Sequence, residues 1–183
     1  MSKMCVFLAE GMEEIEALTV VDICRRAKIS LAMVSITEEK KVTGSHNISV
    51  EADMLLSEVD FSTIDMIVLP GGMPGTLNLE ACESLMAQVD AFDKAGKFIA
   101  AICAAPSIFG HMGILEGKKA CCYPSFESHL EGAEVTKEPV EVSGHVITGR
   151  GMGTAIDFAL AIVAQLEGQE CADALAQAIV YKQ

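Results

Sequence analysis

The segment of residues 98–106 places a cysteine between an apolar run and the predicted start of a helix. Cys103 directly follows the apolar stretch 98–102. A residue at such a turn is held above the sheet and needs small neighbours, which Ala101 and Ala105 provide. The first amides of the helix would point at the sulfur, so the sequence predicts a lowered pKa for Cys103. We interpret the segment as a nucleophile elbow; the alternative is a small buried hydrophobic residue, as most cysteines are.

Glu16 is a second candidate, because it stands among apolar residues at the start of a predicted helix. Burial would raise the pKa of its carboxyl group, and a neutral carboxyl can donate a hydrogen bond to a thiolate. The alternative is an ordinary first-turn acid that the helix dipole favours, a place that Glu13 and Glu14 fit equally well. The residues alone leave both interpretations open.

Two glycine-rich segments follow predicted strands. Gly71 and Gly72 let the backbone approach closely, so an amide there could face a substrate carbonyl oxygen, or the segment could simply be a tight loop after Pro70. Residues 149–154 are similar to a phosphate-cradling loop that enters a helix, but they lack the lysine spacing of a Walker motif. We favour helix capping by Thr154 and close packing near the site.

The elements that must position these residues alternate between strand and helix patterns. Predicted strands are 4–8, 31–36, 66–69, 98–102 and a short one near 119–122, with small hairpins over 42–51 and 140–148. Predicted helices are 13–27, 80–95, 104–112, 155–166 and 171–180. Apolar strands without polar alternation indicate a mostly parallel sheet covered on both faces, and therefore an α/β sandwich. With no repeat and no long linker, we expect one domain over residues 1–183.

Composition and charge restrict the kinds of partner that we expect this protein to bind. The 26 acids and 13 bases give a formal charge of −13, and no basic cluster opposes that field, so we expect no nucleic-acid partner. No apolar run approaches the roughly 18 residues of a membrane span, so we expect no membrane partner either. The seven cysteines include no C-x-x-C pair and no Cys/His ligand spacing. We therefore expect no disulfide scaffold, no metal site and reduced thiols in a cytoplasm.

Four motifs taken together resemble the ThiJ/PfpI superfamily, in the branch of the parkinsonism-associated deglycases and their bacterial relatives. They are residues 9–16 (AEGMEEIE), 70–72 (PGG), 100–106 (AAICAAP) and 150–160, in the same order and spacing. The resemblance implies a flavodoxin-like three-layer sandwich, a homodimer and no cofactor.

The resemblance also assigns residues to a site. It makes Cys103 the reactive cysteine and Glu16 a protonated acid that is hydrogen-bonded to it. The amides of Gly72 and Ala104 would stabilise an oxyanion. The remaining pocket residues would be Gly71, Tyr123 and Arg150.

The chain departs from the family pattern at two positions. Tyr123 stands where this branch commonly has a histidine, and a tyrosine with a reference pKa of about 10 is a poor base near neutral pH. Glu16 would then be the main group that handles protons. His46 stands where relatives often carry an arginine near the dimer contact, so the charge of the pocket rim would differ.

Two functions fit this site. The first is a cofactor-independent, cysteine-dependent glyoxalase or deglycase that acts on methylglyoxal-like dicarbonyls or their early protein adducts. The second is a non-enzymatic sensor of oxidative stress, or a chaperone, that responds to oxidation of Cys103 to the sulfinate. An amidotransferase-type glutaminase is less favoured because no close His and Glu pair follows Thr148. A peptidase is less favoured because no histidine is placed beside Cys103.

Overall fold

The computed structural model describes residues 2–181, and the elements follow one another as alternating strands and helices. The strands are β1 (Lys3–Leu8), β2 (Ser30–Ser35), β3 (Lys41–Thr43), β4 (Ser49–Glu51), β5 (Met54–Leu55), β6 (Met66–Leu69), β7 (Phe98–Ile102), β8 (Lys119–Ala120), β9 (Glu134–Val135), β10 (Val140–Ser143) and β11 (Val146–Gly149). The helices are α1 (Glu14–Arg26), α2 (Gly75–Glu80), α3 (Glu83–Lys94), α4 (Pro106–His111), α5 (Ala155–Glu167) and α6 (Gln169–Ala178).

Seven of the strands form the central sheet, in the order β10-β11-β7-β6-β1-β2-β5. Neighbouring strands are parallel except for β10 and β11, which form an antiparallel hairpin. Because β1, β6 and β7 are adjacent and parallel, their carboxyl ends meet at one edge of the sheet. That edge is where open α/β sheets bind ligands.

The sheet is covered on both faces, which explains the continuous apolar strands. Along β1, Met4, Val6 and Leu8 pack into one core with helices α1 and α5. The residues between them, Cys5 and Phe7, pack into the opposite core with α3 and α4. Each large apolar side chain buried in this way contributes about 1.5–3 kcal/mol to stability. The predicted flavodoxin-like three-layer sandwich is confirmed.

The helix predicted over 80–95 is present as α3, but it begins three residues later than predicted, and the short helix α2 that precedes it was not predicted. The chain forms α2 and then α3, and Cys82 at the N-terminus of α3 has a non-helical backbone (φ −81°, ψ 88°). No glycine or proline marks this break in the sequence. Each helix buries apolar side chains of its own, Leu79 on α2 and Leu85 and Val89 on α3, so tertiary packing determines where the chain bends.

Other elements also differ in detail from the prediction. The short strand near 119–122 is only β8, and it pairs with β9 in a separate two-stranded sheet. Edge strand β5 was not predicted, because two residues are too few to show a pattern. The side chain of Thr154 does not cap α5: its Oγ1 donates to the Gly151 carbonyl oxygen (3.0 Å) and accepts the Gly151 N–H (3.2 Å). Both predicted hairpins are present as β3–β4 and β10–β11.

In the part of the chain that the structure describes, no helix combines the length and the apolar character that crossing a bilayer requires.

Candidate active site

Cys103 lies at a sharp turn directly after β7. Its φ angle is 67°, in the left-handed region that residues other than glycine rarely adopt. Its N–H donates to the Gly149 carbonyl oxygen on β11 (2.9 Å), and its carbonyl oxygen accepts the Tyr123 N–H (2.8 Å). These two bonds hold a backbone conformation that costs about 1–3 kcal/mol. The elbow predicted from the sequence is present.

Two backbone amides face the Cys103 sulfur. They belong to Gly72, in the loop after β6, and to Ala104, the residue after the cysteine. The resemblance to the family named these same two amides. Amides in this arrangement can stabilise negative charge on the sulfur or on an oxygen bound to the carbon that the sulfur attacks.

Gly71 lies where β6, β7 and α1 come together. Its N–H donates to Glu16 Oε2 (2.9 Å). A Cβ at this position would lie 2.6 Å from Cys103 Cβ, 2.7 Å from Glu16 Oε2 and 2.8 Å from the Ile102 carbonyl oxygen, so only glycine fits without displacement. Gly72 has a φ of 88°, and a Cβ there would meet the Glu13 backbone nitrogen. The lack of side chains in this loop therefore lets the thiol and the carboxyl group approach each other.

Glu16 is fully buried on α1, next to Cys103. Burial raises the pKa of its carboxyl group to about 7, and the charge of Glu13 raises it further, although hydrogen bonds with Cys103 and Gly71 oppose the rise. Glu16 Oε1 is buried and has no hydrogen-bond partner by distance and angle among the described residues. A buried, protonated carboxyl group therefore fits the geometry better than an ordinary first-turn acid.

The predicted lowering of the Cys103 pKa is wrong. Burial, followed by the charge of Glu16 and its hydrogen bond, raises the pKa of the thiol to about 12, although the amides of Gly72 and Ala104 act in the opposite direction. The prediction from the sequence took account of the helix amides, but it left out the burial of the thiol and the negative charge of an ionised Glu16. Because each negative charge opposes the other, the two groups titrate as a pair. A protonated Glu16 removes the repulsion and can donate to the sulfur, which favours the thiolate.

The other predicted pocket residues flank the turn. The Tyr123 side chain is half exposed, and its ring lies against the backbone at Gly151. The positive charge of Arg150 lowers the pKa of the Cys121 and Cys122 thiols, although burial raises both overall. The Tyr123 backbone is thus hydrogen-bonded to Cys103, whereas the charge of Arg150 affects the pKa of the neighbouring thiols.

The four histidines form their hydrogen bonds with residues other than Cys103. His46 contacts Glu14, His111 contacts Glu80 and His129, and His145 contacts Asp93. The described side chains therefore include no histidine hydrogen-bonded to Cys103, and Glu16 is the acid that interacts with the thiol.

Reasoning from the sequence missed Glu13 as a part of this site. Its N–H donates to the Gly71 carbonyl oxygen (2.9 Å), and its charge acts on the Glu16 carboxyl group. The only sequence signal was its nearness to Glu16, which Glu14 shares.

Replacing Glu16 with glutamine is expected to change how stability depends on pH. The folded chain binds the Glu16 proton more tightly than the unfolded chain does, because the pKa rises from 4.5 to about 7. Wild-type stability should therefore fall as the pH rises through this interval, whereas glutamine does not titrate. At about 1.4 kcal/mol per pKa unit, the variant should gain about 3 kcal/mol relative to the wild type between about pH 4.5 and pH 8.

Urea unfolding across this pH range measures the difference. Asp22→Asn is the matched control, since it removes one charge from an exposed position of the same helix. A difference between Glu16→Gln and the wild type that does not change with pH would contradict the raised pKa.

The fold and the site define a class: flavodoxin-like α/β proteins with a cysteine at a strand-to-helix elbow and a buried acid beside it. Residues 2–165 match the DJ-1/PfpI family. The chain belongs to this family.

Individual relatives agree with this assignment. The chain is 40% identical to Protein DJ-1 homolog B of Arabidopsis thaliana over 170 residues, which are 92% of this chain but 39% of that protein. The chain therefore spans about two-fifths of that plant relative's length. It is 33% identical to glutathione-independent glyoxalase DJR-1.2 of Caenorhabditis elegans over 91% of this chain and 89% of that one. A C103A mutant of the DJ-1 superfamily protein STM1931 from Salmonella typhimurium superposes with a TM-score of 0.95, at 35% identity and full coverage of both chains.

Proposed function

We propose that this protein is a cofactor-independent glyoxalase or deglycase that acts on methylglyoxal-like dicarbonyls or on their early protein adducts. The observation that carries the proposal is the convergence on the Cys103 sulfur of two backbone amides and a buried carboxyl group. Nucleophile, oxyanion donors and proton carrier are all supplied by the chain itself. The similarity to a relative named as a glutathione-independent glyoxalase supports the same reaction class.

The chemistry begins with the proton shared between Cys103 and Glu16. The thiolate adds to the aldehyde carbon of the dicarbonyl, and the amides of Gly72 and Ala104 stabilise the oxyanion of the resulting hemithioacetal. Glu16 gives its proton to that oxyanion, then takes the C–H proton of the former aldehyde carbon and returns it to the neighbouring carbonyl carbon. The hydroxyl proton of the hemithioacetal passes to the ketone oxygen, and a 2-hydroxy thioester is left. Water then hydrolyses the thioester, which releases the 2-hydroxy acid and restores the thiol. The aldehyde carbon is oxidised while the ketone carbon is reduced, so no external redox partner is needed.

Glu16 is suited to this task because its pKa of about 7 lies close to neutral pH. A group that gives and takes a proton works best when its pKa is near the working pH. In this proposal Tyr123 bounds the pocket and acts as a hydrogen-bond donor rather than as a base.

The direct test is to incubate the purified chain with methylglyoxal in the absence of glutathione. We expect the dicarbonyl to disappear and lactate to form in equal amounts, without added cofactor. Absence of lactate formation by the freshly reduced protein would refute the proposal.

We also propose that the protein is a cytoplasmic homodimer. All seven cysteines are free thiols, as expected in a reducing compartment. An apolar groove of about 670 Å³ runs between α1, the β3–β4 hairpin and the end of α6. Three apolar residues at this groove are more than half exposed, namely Ile15, Ile48 and Val180. A second copy of the chain seated on the groove would remove this apolar surface from water.

Ile48→Glu is expected to weaken the homodimer, because it places a charge in the apolar contact. Light scattering coupled to size-exclusion chromatography should give twice the mass of one chain for the wild type and a shift toward one chain mass for the variant at micromolar concentration. Val142→Glu, at an exposed position on β10, is the control and should leave the mass unchanged. Equal masses for the wild type and Ile48→Glu would contradict this choice of interface.

A further inference from the structure

Thr148 carries the only polar side chain of β11, in a strand whose four residues are all buried. Only 1% of Thr148 is exposed. Side chains alternate between the two faces of a strand, so Thr148 points to the same face as Val146, which packs into the core with α3 and α4. A buried hydroxyl group is costly unless it is hydrogen-bonded, so its partners indicate what it does there.

The partner of Thr148 is Cys121, in the segment that follows β8. The Cys121 N–H donates to Thr148 Oγ1 (3.0 Å), and Cys121 Sγ donates to the Thr148 carbonyl oxygen (3.3 Å). Cys121 is fully buried, and β8 ends one residue earlier, so the strand pairing with β9 does not extend to it. The Thr148 hydroxyl group therefore supplies the acceptor that a buried backbone N–H needs.

Two residues further along the chain, the same segment reaches the turn at Cys103. The Tyr123 N–H donates to the Cys103 carbonyl oxygen (2.8 Å). The Cys103 N–H in turn donates to the carbonyl oxygen of Gly149 (2.9 Å), which directly follows Thr148 on β11. Thr148 is therefore connected to the turn on two sides, through the backbone of β11 and through the segment of residues 121–123.

The turn at Cys103 needs such support from its surroundings. Its φ of 67° is a conformation that persists only where the neighbouring structure enforces it. If residues 121–123 shifted, the Cys103 carbonyl oxygen would lose its donor and the turn could relax. The sulfur would then move relative to the amides of Gly72 and Ala104.

We propose that Thr148 is a positioning residue for the Cys103 site. Its hydroxyl group fixes residues 121–123, and this segment fixes the turn that carries the sulfur. Among the described residues, the Thr148 side chain is hydrogen-bonded to Cys121 and not to Cys103, so it acts through the backbone. The effect on turnover rests on the proposed function, whereas the effect on the backbone does not.

Thr148→Val tests the proposal, because valine has nearly the same shape as threonine but cannot accept a hydrogen bond. We expect the Tyr123 amide to exchange with solvent deuterium at least about 10-fold faster than in the wild type. We also expect kcat for methylglyoxal to fall about 10- to 100-fold with little change in KM, because the nucleophile is displaced. Thr148→Ser keeps the hydroxyl group and should restore both values. NMR-detected hydrogen exchange and steady-state assays of lactate formation measure them.

Thr76→Val is the matched control. Thr76 is also 1% exposed, but its Oγ1 has no hydrogen-bond partner among the described residues. This variant should leave both Tyr123 exchange and turnover unchanged. The amides of β1 show whether exchange in Thr148→Val is faster only near the turn or throughout the sheet. If Thr148→Val does not fold, Thr148→Ala removes the same hydroxyl group without adding a branch and replaces it in both assays.

Four results would overturn the proposal: unchanged Tyr123 exchange in Thr148→Val, faster exchange with unchanged turnover, a loss that Thr148→Ser does not restore, or faster exchange over the whole sheet. Exchange is measured without substrate. A wild-type chain that forms no lactate would therefore contradict the proposed function, and the exchange of the Tyr123 amide would still decide the role of Thr148.

Discussion

Replacing Cys103 with serine is expected to lower the turnover of methylglyoxal at least about 1000-fold, because an alcohol gives up its proton far less readily than a thiol in the same place and is a much weaker nucleophile. The amides of Gly72 and Ala104 and the Glu16 carboxyl group stay in place in this variant, so the loss reports on the sulfur alone. Steady-state assays of dicarbonyl loss and lactate formation measure it. Cys171→Ser is the matched control, because Cys171 is also a partly buried free thiol but lies on α6.

Equal turnover by the wild type and Cys103→Ser would contradict covalent catalysis at this residue. A wild-type chain that makes no lactate, yet gains two oxygens selectively on Cys103 after mild peroxide, would instead support the oxidative-stress sensor. Intact-protein mass spectrometry followed by peptide mapping distinguishes this selective oxidation from random oxidation of the seven thiols.

Gly71→Ala is expected to disturb both stability and the site. The added methyl group would lie 2.6–2.8 Å from atoms of Cys103, Glu16 and Ile102, and two of these belong to backbone or to the rigid Cβ of the elbow. Overpacking of this kind costs about 1–3 kcal/mol in the free energy of unfolding. Because the thiol or the carboxyl group must move, we expect turnover to fall on the order of 100-fold. Urea unfolding and the methylglyoxal assay measure the two effects.

Gly153→Ala provides the control for this substitution. Gly153 lies in the loop that follows β11, and a Cβ there would have no heavy atom within 4 Å. We expect its stability to stay within about 0.5 kcal/mol of the wild type. If Gly71→Ala behaves like Gly153→Ala, the close approach of β6, β7 and α1 is not required for the site.

Two strands at the centre of the sheet, β6 and β7, could be predicted from the sequence to the residue. Both strands are continuous apolar runs, Met66–Leu69 and Phe98–Ile102, because both of their faces are buried. The first ends at the turn that contains Gly71 and Gly72, and the second ends at the turn that contains Cys103. The break between α2 and α3 could not be predicted, since neither glycine nor proline interrupts the helical pattern there. At that point the packing of Leu79 and Leu85 against the sheet overrides local preference.

The candidate active site also has a part that the sequence predicts and a part that it does not. The turn at Cys103 is local, so its small neighbours and the following helix predict it. The pairing of Cys103 with Glu16 depends on the adjacency of β1, β6 and β7, which the residues alone do not specify; the family resemblance supplied it. The direction of the thiol pKa was wrong because burial and a neighbouring carboxylate depend on three-dimensional packing, whereas the helix amides can be counted along the chain.

The two outer strands of the sheet determine how readily another chain could pair with its edges. Strand β5 offers only two residues of free edge, and the β8–β9 pair packs beside β10 at the opposite side. Intermolecular strand addition, the first step toward amyloid-like aggregates, needs a long and uncovered row of backbone donors and acceptors. The sheet of this chain, which is 51% hydrophobic, therefore offers little free edge to which a further strand could be added.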